Sequence, residues 1–227
     1  MQKLLLLHGA LGSQDHFNTL KIELSKDFEV YRFNFKGHGG SEVPNDGFSI
    51  SNFADEVLAF MEKHHIQNTN IFGYSMGGYV GLYLAKHFPE KVVKLFTLAT
   101  KWDWTLESAT RESKMLNPSI IKEKVPKYAD SLVKLHGDNW EILMQKTAAM
   151  MLDLGANPTF KNDDFTEIAT PTLVAVGDKD IMVSIEETNA LYRLLPNAQL
   201  LVLPNTSHPI DRVNVALLTY QIQHCFL

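Results

Sequence analysis

Ser75 lies at the centre of a G-x-S-x-G pattern, in which Gly73 and Gly77 flank it at two positions on either side. The residues before it have the apolar character of a buried strand, and those after it begin a stretch with helical period. In a sharp strand-to-helix turn the central serine takes a strained backbone conformation, and its hydroxyl is exposed above the sheet. Glycine at the two flanking positions lets strand and helix approach closely. Ser75 is therefore a candidate nucleophile.

A serine hydroxyl is a poor nucleophile at neutral pH and needs a base, which is normally a histidine oriented by a carboxylate. Asp178 and Asp180 follow the fifth apolar run of the chain, and His208 follows the sixth. Ligands of doubly wound sheets bind outside the carboxyl ends of the strands, so residues directly after strands are candidates to meet. The order serine, acid, histidine thus predicts one site, with the choice between the two aspartates open at this point.

The elements that must position these residues follow from an alternation of short apolar runs with longer helical stretches, which is typical of parallel βαβ units. The predicted strands are Lys3–Leu7, Phe28–Phe35, Asn70–Gly73, Val92–Leu98, Thr172–Val176 and Gln199–Leu203. The helices predicted between and after them are Asp15–Lys26, a helix from Ser49 or Ser51 to His65, Met76–His87, Ile185–Leu195 and a last helix from about Pro209 to the C-terminus. The predicted fold class is α/β, with a doubly wound, mostly parallel sheet of about six strands flanked by helices.

The rhythm changes between residues 101 and 165, where no strand-like run occurs. Three helices are predicted there, at Leu106–Met115, Ser119–Leu135 and Trp140–Leu154. We therefore expect a single core domain formed by residues 1–100 and 166–227, with residues 101–165 as a helical insertion. All three tryptophans and four of the eight methionines fall in this insertion. They are expected either to form its own small core or to line an apolar, adaptable pocket.

Five segments carry a resemblance to a known family. They are His8-Gly9-Ala10-Leu11-Gly12, Gly37-His38-Gly39-Gly40-Ser41, Gly73-Tyr74-Ser75-Met76-Gly77-Gly78, Gly177-Asp178-Lys179-Asp180 and His208. With these segments in order, the chain resembles the α/β-hydrolase superfamily over essentially its whole length, as a small, lidded, esterase-like member. The resemblance implies a nucleophile at Ser75, an acid at Asp180 rather than Asp178, and a base at His208. It also implies that residues 101–165 form a lid.

The same resemblance implies an oxyanion hole made by two backbone N–H groups. One belongs to Met76, the residue after the nucleophile, and the other to Ala10 in the turn after the first strand. Four side chains are predicted to contact substrate: Leu11, Trp102, Trp104 and Met182.

The leading functional hypothesis is a serine hydrolase that cleaves a small ester or a related acyl compound through an acyl-enzyme. A carbon–carbon bond hydrolase or lyase of the same fold is an alternative, because the elbow is similar to that of the menaquinone-pathway lyase. That lyase usually has an arginine after the elbow, whereas this chain has Tyr79. A non-catalytic receptor for a small ligand is a further alternative, and the presence of serine, acid and histidine together argues against it.

The other histidines have competing explanations. His8 and His38 lie in glycine-rich turns, where hydrogen bonding that holds the loops is the favoured role. Five more lie on predicted helices or at their ends and are expected to be solvated or packed: His64, His65, His87, His136 and His224.

Composition excludes several classes of partner. The formal net charge of -5 gives no bias toward nucleic acid or an anionic membrane. The apolar run at the N-terminus ends at Leu7, too early for a signal peptide, and the single cysteine, Cys225, fits a reducing compartment. No dinucleotide or phosphate-binding glycine pattern and no metal-ligand spacing is present. We therefore predict a cytoplasmic protein with a small-molecule substrate, no cofactor and no metal, and the oligomeric state is open.

Overall fold

A computed structural model describes all 227 residues of the chain. Its six strands are β1 Gln2–Leu7, β2 Phe28–Arg32, β3 Thr69–Tyr74, β4 Val92–Leu98, β5 Thr172–Gly177 and β6 Ala198–Leu203. They form one sheet in the order β2-β1-β3-β4-β5-β6, and every neighbouring pair is parallel. The predicted six-stranded doubly wound sheet is confirmed.

Ten α-helices accompany the sheet. They are α1 Asn18–Leu24, α2 Ile50–Lys63, α3 Met76–His87, α4 Leu106–Lys114, α5 Pro118–Lys124, α6 Pro126–His136, α7 Trp140–Ala156, α8 Asn162–Thr166, α9 Ile185–Leu194 and α10 Val215–Phe226. None of them combines the length and the apolar character that a bilayer-spanning helix needs.

Alternation along β1 divides the core between the two faces of the sheet. Leu4 and Leu6 are fully buried in a cluster that includes residues of α1 and α10. Leu5 and Leu7 are fully buried in a second cluster with residues of α2, α3 and the 101–165 segment. Successive side chains of a strand point to opposite faces, so a run of four leucines supplies both clusters.

Three predicted boundaries were wrong, each for a local reason. The helix predicted at Ser119–Leu135 is two helices, α5 and α6, because Pro126 has no N–H to continue the first one. The strand β2 ends at Arg32 rather than Phe35, and the Phe35 N–H donates instead to His8.

The last helix begins at Val215 rather than near Pro209. Residues 210–212 form a 3₁₀ turn, and Asn214 caps the helix by accepting a hydrogen bond from the Leu217 N–H.

The sheet order places a topological switch point beside β1. The chain leaves β1 for β2 on one side and then crosses to β3 on the other, so a crevice opens at the carboxyl ends of β1 and β3. Those ends carry the turn around Ala10 and the turn around Ser75.

Candidate active site

The turn between β3 and α3 holds Ser75 in a conformation that few non-glycine residues adopt, with φ +51° and ψ -118°. Two neighbouring contacts support it. The Ser75 N–H donates to the Leu98 carbonyl at 2.8 Å, and Thr100 Oγ1 donates to the Ser75 carbonyl at 3.2 Å. A residue held in such a strained region points to a functional constraint.

Glycine at positions 73 and 77 is required by the close approach of backbones. A Cβ at Gly73 would lie 2.5 Å from the Gly77 carbonyl oxygen, and a Cβ at Gly77 would overlap the Leu7 carbonyl. The start of α3 therefore packs directly on β3 and on the end of β1, which fixes Ser75 beside the turn that follows β1.

Asp180 and His208 form a partly buried hydrogen-bonded pair, with Asp180 Oδ2 2.8 Å from His208 Nδ1. The other carboxylate oxygen of Asp180 accepts from the backbone N–H groups of Met182 and Val183, at 2.8 and 2.9 Å. These bonds fix the carboxylate and present it to one imidazole nitrogen. The opposite nitrogen, Nε2, makes no hydrogen bond within the protein and is free to exchange a proton.

Asp178 has a different environment. Its Oδ1 accepts from the Thr206 N–H at 3.0 Å, and backbone N–H donation from Asn205 and Thr206 holds the pKa of this carboxyl below its usual range. Asp178 thus joins the loops after β5 and β6, whereas Asp180 contacts the histidine.

His208 and Ser75 line the same cavity, although no hydrogen bond joins them in this structure. Catalytic hydrogen bonds are often long without substrate and shorten in the complex.

The residue before the nucleophile, Tyr74, links the loop of Ser75 to the loop of His208, because its hydroxyl donates to the His208 carbonyl at 3.0 Å. Burial raises the pKa of Tyr74, so the phenol stays protonated and remains a donor. This role of Tyr74 was not predicted from the sequence.

The turn after β1 brings a free backbone donor to the nucleophile. The Ala10 N–H makes no hydrogen bond within the protein, and Ala10 lines the same cavities as Ser75. A Cβ on Gly9 would lie 3.1 Å from Ser75 Cβ, which shows how closely the turn approaches. Met76 is the first residue of α3, where N–H groups have no intrahelical partner. The two predicted oxyanion donors therefore flank Ser75.

The side chain of His8 fixes this turn through two hydrogen bonds. The Phe35 N–H donates to His8 Nε2 at 3.2 Å, so the ring proton is on Nδ1, which donates to the Gly9 carbonyl at 2.8 Å. Gly9 C=O and Ala10 N–H belong to one peptide group and point in opposite directions. Fixing the carbonyl therefore orients the donor. His8 has the loop-holding role that its position favoured.

We expect the free energy of unfolding to fall as the pH is lowered below 6.5, because His8 is held neutral in the folded protein. Burial lowers the pKa of His8 from 6.5 to about 3, so between these values the unfolded chain binds one more proton at this site than the folded chain. The unfolding equilibrium constant should rise about tenfold for each pH unit lost in that window from this residue alone. Urea unfolding at pH 7.5, 6.5 and 5.5 measures the slope.

The matched variant for that measurement is His8→Asn, whose side-chain amide still offers a donor to Gly9 but does not titrate. Its slope between pH 6.5 and 5.5 should be smaller by about 0.7 proton, because an unfolded-state histidine is only half protonated at pH 6.5. Equal slopes for the two proteins would show that His8 is not held neutral.

Two cavities meet at Ser75. The smaller has a volume of about 40 Å³ and is mostly apolar, with Met76, Tyr79 and Leu154 among its lining residues. The larger has a volume of about 790 Å³ and is lined by His208 and, from α6, by Leu132. Ser75 lines both, and His208 lines only the larger one. The nucleophile therefore lies between a small apolar cavity and a large one that His208 also lines.

The structure brings three of the four predicted substrate contacts to these cavities and places the fourth elsewhere. Leu11 and Met182 line the large cavity, and Trp104 lines the small one. Trp102 lines neither, contrary to expectation. Its indole N–H donates to the Glu187 carbonyl at 2.7 Å, and its ring packs edge-on against Phe165.

Glu187, at the start of α9, was not singled out by sequence reasoning. Its carboxylate accepts from Lys101 Nζ at 3.2 Å and from the backbone N–H groups of Trp102 and Asp103. These bonds fix the first residues after β4, from which Lys101 and Trp104 reach the small cavity. Trp102 and Glu187 are 85 residues apart in the sequence, so no local pattern predicted this contact.

Three residues of α7, Met150, Met151 and Leu154, form much of the apolar wall and were also not predicted as site residues. Their spacing puts them on one face of a helix, which is the signal that could have identified them.

No group of three or more histidine, cysteine, aspartate or glutamate side chains is arranged to hold a metal ion. Lys101 also lines the small cavity. Besides Ser75 and His208, the polar residues that line the large cavity include Asp15, His16, Ser131, Lys134 and Asp211.

Comparison with known proteins gives the site a family context. A model of the alpha/beta hydrolase fold matches residues 3–131, more than half of the chain. The chain belongs to the α/β-hydrolase fold family. The family model covers the turns that carry Ala10 and Ser75.

Relatives extend the likeness over nearly the whole chain. A Synechocystis protein, provisionally named a non-heme chloroperoxidase, is 27% identical over 96% of this chain and 91% of its own length. Lipase 3 of Moraxella sp. is 26% identical over 91% of this chain and 71% of its own length. A thermophilic esterase from Thermogutta terrifontis superposes with a TM-score of 0.80, at 20% identity over 99% of this α/β hydrolase and 89% of that chain. The protein is thus a hydrolase of the α/β fold.

Proposed function

We propose that this α/β hydrolase is a serine esterase for small esters or related acyl compounds. Ser75 is the nucleophile, His208 the general base and acid, and Asp180 the group that orients His208. The N–H groups of Ala10 and Met76 form the oxyanion hole. Residues 101–165 act as the lid that completes the substrate cavities.

The observation that carries this proposal is the partly buried Asp180–His208 hydrogen bond at the wall of a cavity that Ser75 also lines. A carboxylate on Nδ1 fixes the tautomer in which Nε2 is free to accept a proton, and it stabilises the imidazolium once formed. The names of the relatives, a lipase and an esterase among them, agree with acyl transfer to water.

In the first half of the reaction, the proton of Ser75 Oγ passes to His208 Nε2 while Oγ bonds to the substrate carbonyl carbon. The carbonyl oxygen becomes an oxyanion, which accepts hydrogen bonds from the N–H groups of Ala10 and Met76. His208 then gives its proton to the leaving alcohol as the carbon–oxygen bond breaks. The product of this half is an acyl group on Ser75.

In the second half, a water molecule attacks the acyl carbon and transfers a proton to His208. The bond between the acyl carbon and Ser75 Oγ breaks, and Oγ takes the proton back from His208. The carboxylic acid leaves, and each group returns to its starting state.

The two cavities define the substrate class. Because the leaving group receives its proton from His208, it occupies the cavity that His208 lines, which is the large one. The acyl group then enters the small cavity, whose volume of about 40 Å³ admits roughly three water-sized groups. We infer a preference for short, apolar acyl groups joined to a larger leaving group.

The same geometry argues against the lyase alternative. Tyr79, at the position of the family lyase's arginine, is buried and lines the small cavity. Burial raises the pKa of Tyr79, so its phenol is neutral. Lys101, the cation of this cavity, pairs with Glu187, which leaves no uncompensated positive charge for an acidic substrate in the small cavity.

We expect kcat/KM for p-nitrophenyl esters to be highest for acetate to butyrate and lower for octanoate. Leu154→Ala, which opens the small cavity, should raise the octanoate-to-acetate ratio of kcat/KM by at least about tenfold, because a methylene in a shaped pocket is worth about 10–200-fold in discrimination. Steady-state kinetics across the chain-length series measures this ratio.

The matched control is Leu132→Ala, which removes the same atoms from the large cavity. Both leucines are buried, so each variant should lose about 2–5 kcal/mol of stability, and the acyl-length ratio is compared instead of the absolute rate. Leu132→Ala should leave the ratio unchanged. A wild-type preference for octanoate, or an equal change of the ratio in both variants, would contradict the assignment of the cavities.

A further inference from the structure

His136, the last residue of α6, reaches from the 101–165 segment to two loops of the core. Its Nε2 lies 3.0 Å from the Leu11 carbonyl oxygen, and its Nδ1 lies 3.0 Å from the Gly39 nitrogen. The side chain is 1% exposed, so neither bond is shared with bulk solvent. The sequence predicted only a packed or solvated histidine here.

The two partners determine the tautomer. The Gly39 N–H is a donor, so His136 Nδ1 accepts, and the ring proton must be on Nε2 to donate to the Leu11 carbonyl. Burial also lowers the pKa of His136, which favours this neutral form. A buried imidazole with both nitrogens satisfied has a fixed orientation.

Leu11 directly follows Ala10, and its φ of +54° is one of five positive values at non-glycine residues of the chain. His8 donates to the Gly9 carbonyl on the near side of Ala10, and His136 donates to the Leu11 carbonyl on the far side. Two buried histidines with opposite tautomers thus hold the Gly9–Ala10 and Leu11–Gly12 peptide groups, one at Ala10 itself and one a residue beyond it. A strained turn persists only where its surroundings determine it in this way.

We propose that His136 is a positioning residue that aims the Ala10 N–H at the developing oxyanion, and so makes the oxyanion hole depend on the docking of α6. This inference rests on the proposed function, in which Ala10 supplies one of the oxyanion donors. It assigns the 101–165 segment a part in catalysis in addition to covering the cavities.

Two substitutions separate the bonds of His136. His136→Gln places an amide N–H near the position of Nε2 and keeps a donor for Leu11, whereas His136→Asn places an amide oxygen near Nδ1 and keeps an acceptor for Gly39. If the Leu11 bond positions Ala10, kcat should fall about 10- to 100-fold in His136→Asn, the size expected from a misplaced catalytic group. In His136→Gln it should stay within about threefold of wild type, and KM should change little in either variant.

His136→Met, which fills the site and has neither bond, should resemble His136→Asn and serves if that variant does not fold. The control for replacing a histidine by asparagine is His224→Asn. His224 is exposed on α10, so this variant should leave kcat unchanged. Equal kcat in the Gln and Asn variants, whether both wild-type-like or both reduced, would overturn the proposal, because packing alone would then explain the result.

A readout that is independent of turnover distinguishes this inference from the proposed function. In ¹⁵N-labelled protein, the Ala10 amide resonance should shift in His136→Asn and stay close to the wild-type position in His136→Gln. If wild-type protein hydrolyses no ester, the proposed function fails, and the resonance still decides whether His136 holds the turn. An Ala10 resonance that is unchanged in His136→Asn and His136→Met would overturn the inference even in an active esterase.

Discussion

Replacing Ser75 with alanine should lower kcat for short p-nitrophenyl esters by about 10⁶-fold, which is the loss expected when the nucleophile of such a catalytic unit is removed. The reason is chemical, because in the proposed mechanism the acyl intermediate forms on Ser75 Oγ. Only Oγ is lost, so the elbow should keep its backbone contacts with Leu98 and Thr100. Burst and steady-state kinetics, with the variant purified in fresh columns, measure the effect.

Ser119→Ala is the control, since Ser119 is exposed on α5 and distant from the elbow in sequence. A fluorophosphonate probe should label wild type at Ser75 and the control at the same residue, but not Ser75→Ala, as read by peptide mass spectrometry. Turnover above about 1% of wild type in Ser75→Ala, with the label on another residue, would overturn the mechanism.

The second large effect is expected for Asp180→Asn, which should lower kcat about 10⁴-fold. The Asn amide would still accept from the Met182 and Val183 N–H groups through its oxygen. Its NH₂ would then face His208 Nδ1 and turn that nitrogen into an acceptor. The ring proton would move to Nε2, where it prevents His208 from taking the proton of Ser75.

This prediction separates a change of tautomer from a change of fold. The thermal midpoint of Asp180→Asn should stay near that of wild type, and ¹⁵N shifts of His208 should report the exchanged tautomer. Asp178→Asn is the matched control, because Asp178 accepts only from backbone N–H groups of its own loops, and its kcat should change by less than about threefold. If Asp178→Asn were the more damaging variant, the acid would be Asp178.

The sheet and the order of the candidate catalytic groups could be predicted because each depends on local signals. The six apolar runs had the length and flanking residues of strands, and the elbow has backbone requirements that only glycine satisfies at positions 73 and 77. The errors lay where a single contact decided the outcome. Pro126 ended one helix, and the bond from the Phe35 N–H to His8 ended β2 early.

Side-chain direction outside regular structure could not be predicted. Trp102 and Trp104 follow the same strand, yet only Trp104 lines a cavity, because Glu187 accepts hydrogen bonds from both the backbone and the indole of Trp102. The acid posed a similar choice. The resemblance favoured Asp180, and the loop after β5 turns that side chain toward His208 and Asp178 toward Thr206.

Local patterns in the amino-acid sequence are enough to predict the α/β fold, the position of Ser75 at a strained strand-to-helix turn, and the arrival of Asp180 and His208 at strand ends on the same edge of the sheet. Periodicity and backbone sterics act over a few residues, so these features are visible in the chain. Long-range packing, in contrast, places Ser75 between a small apolar cavity and a large one, and brings His136 to Leu11 from 125 residues away. Such contacts depend on how distant polar groups find partners once water is excluded, which is a property of the whole packed molecule.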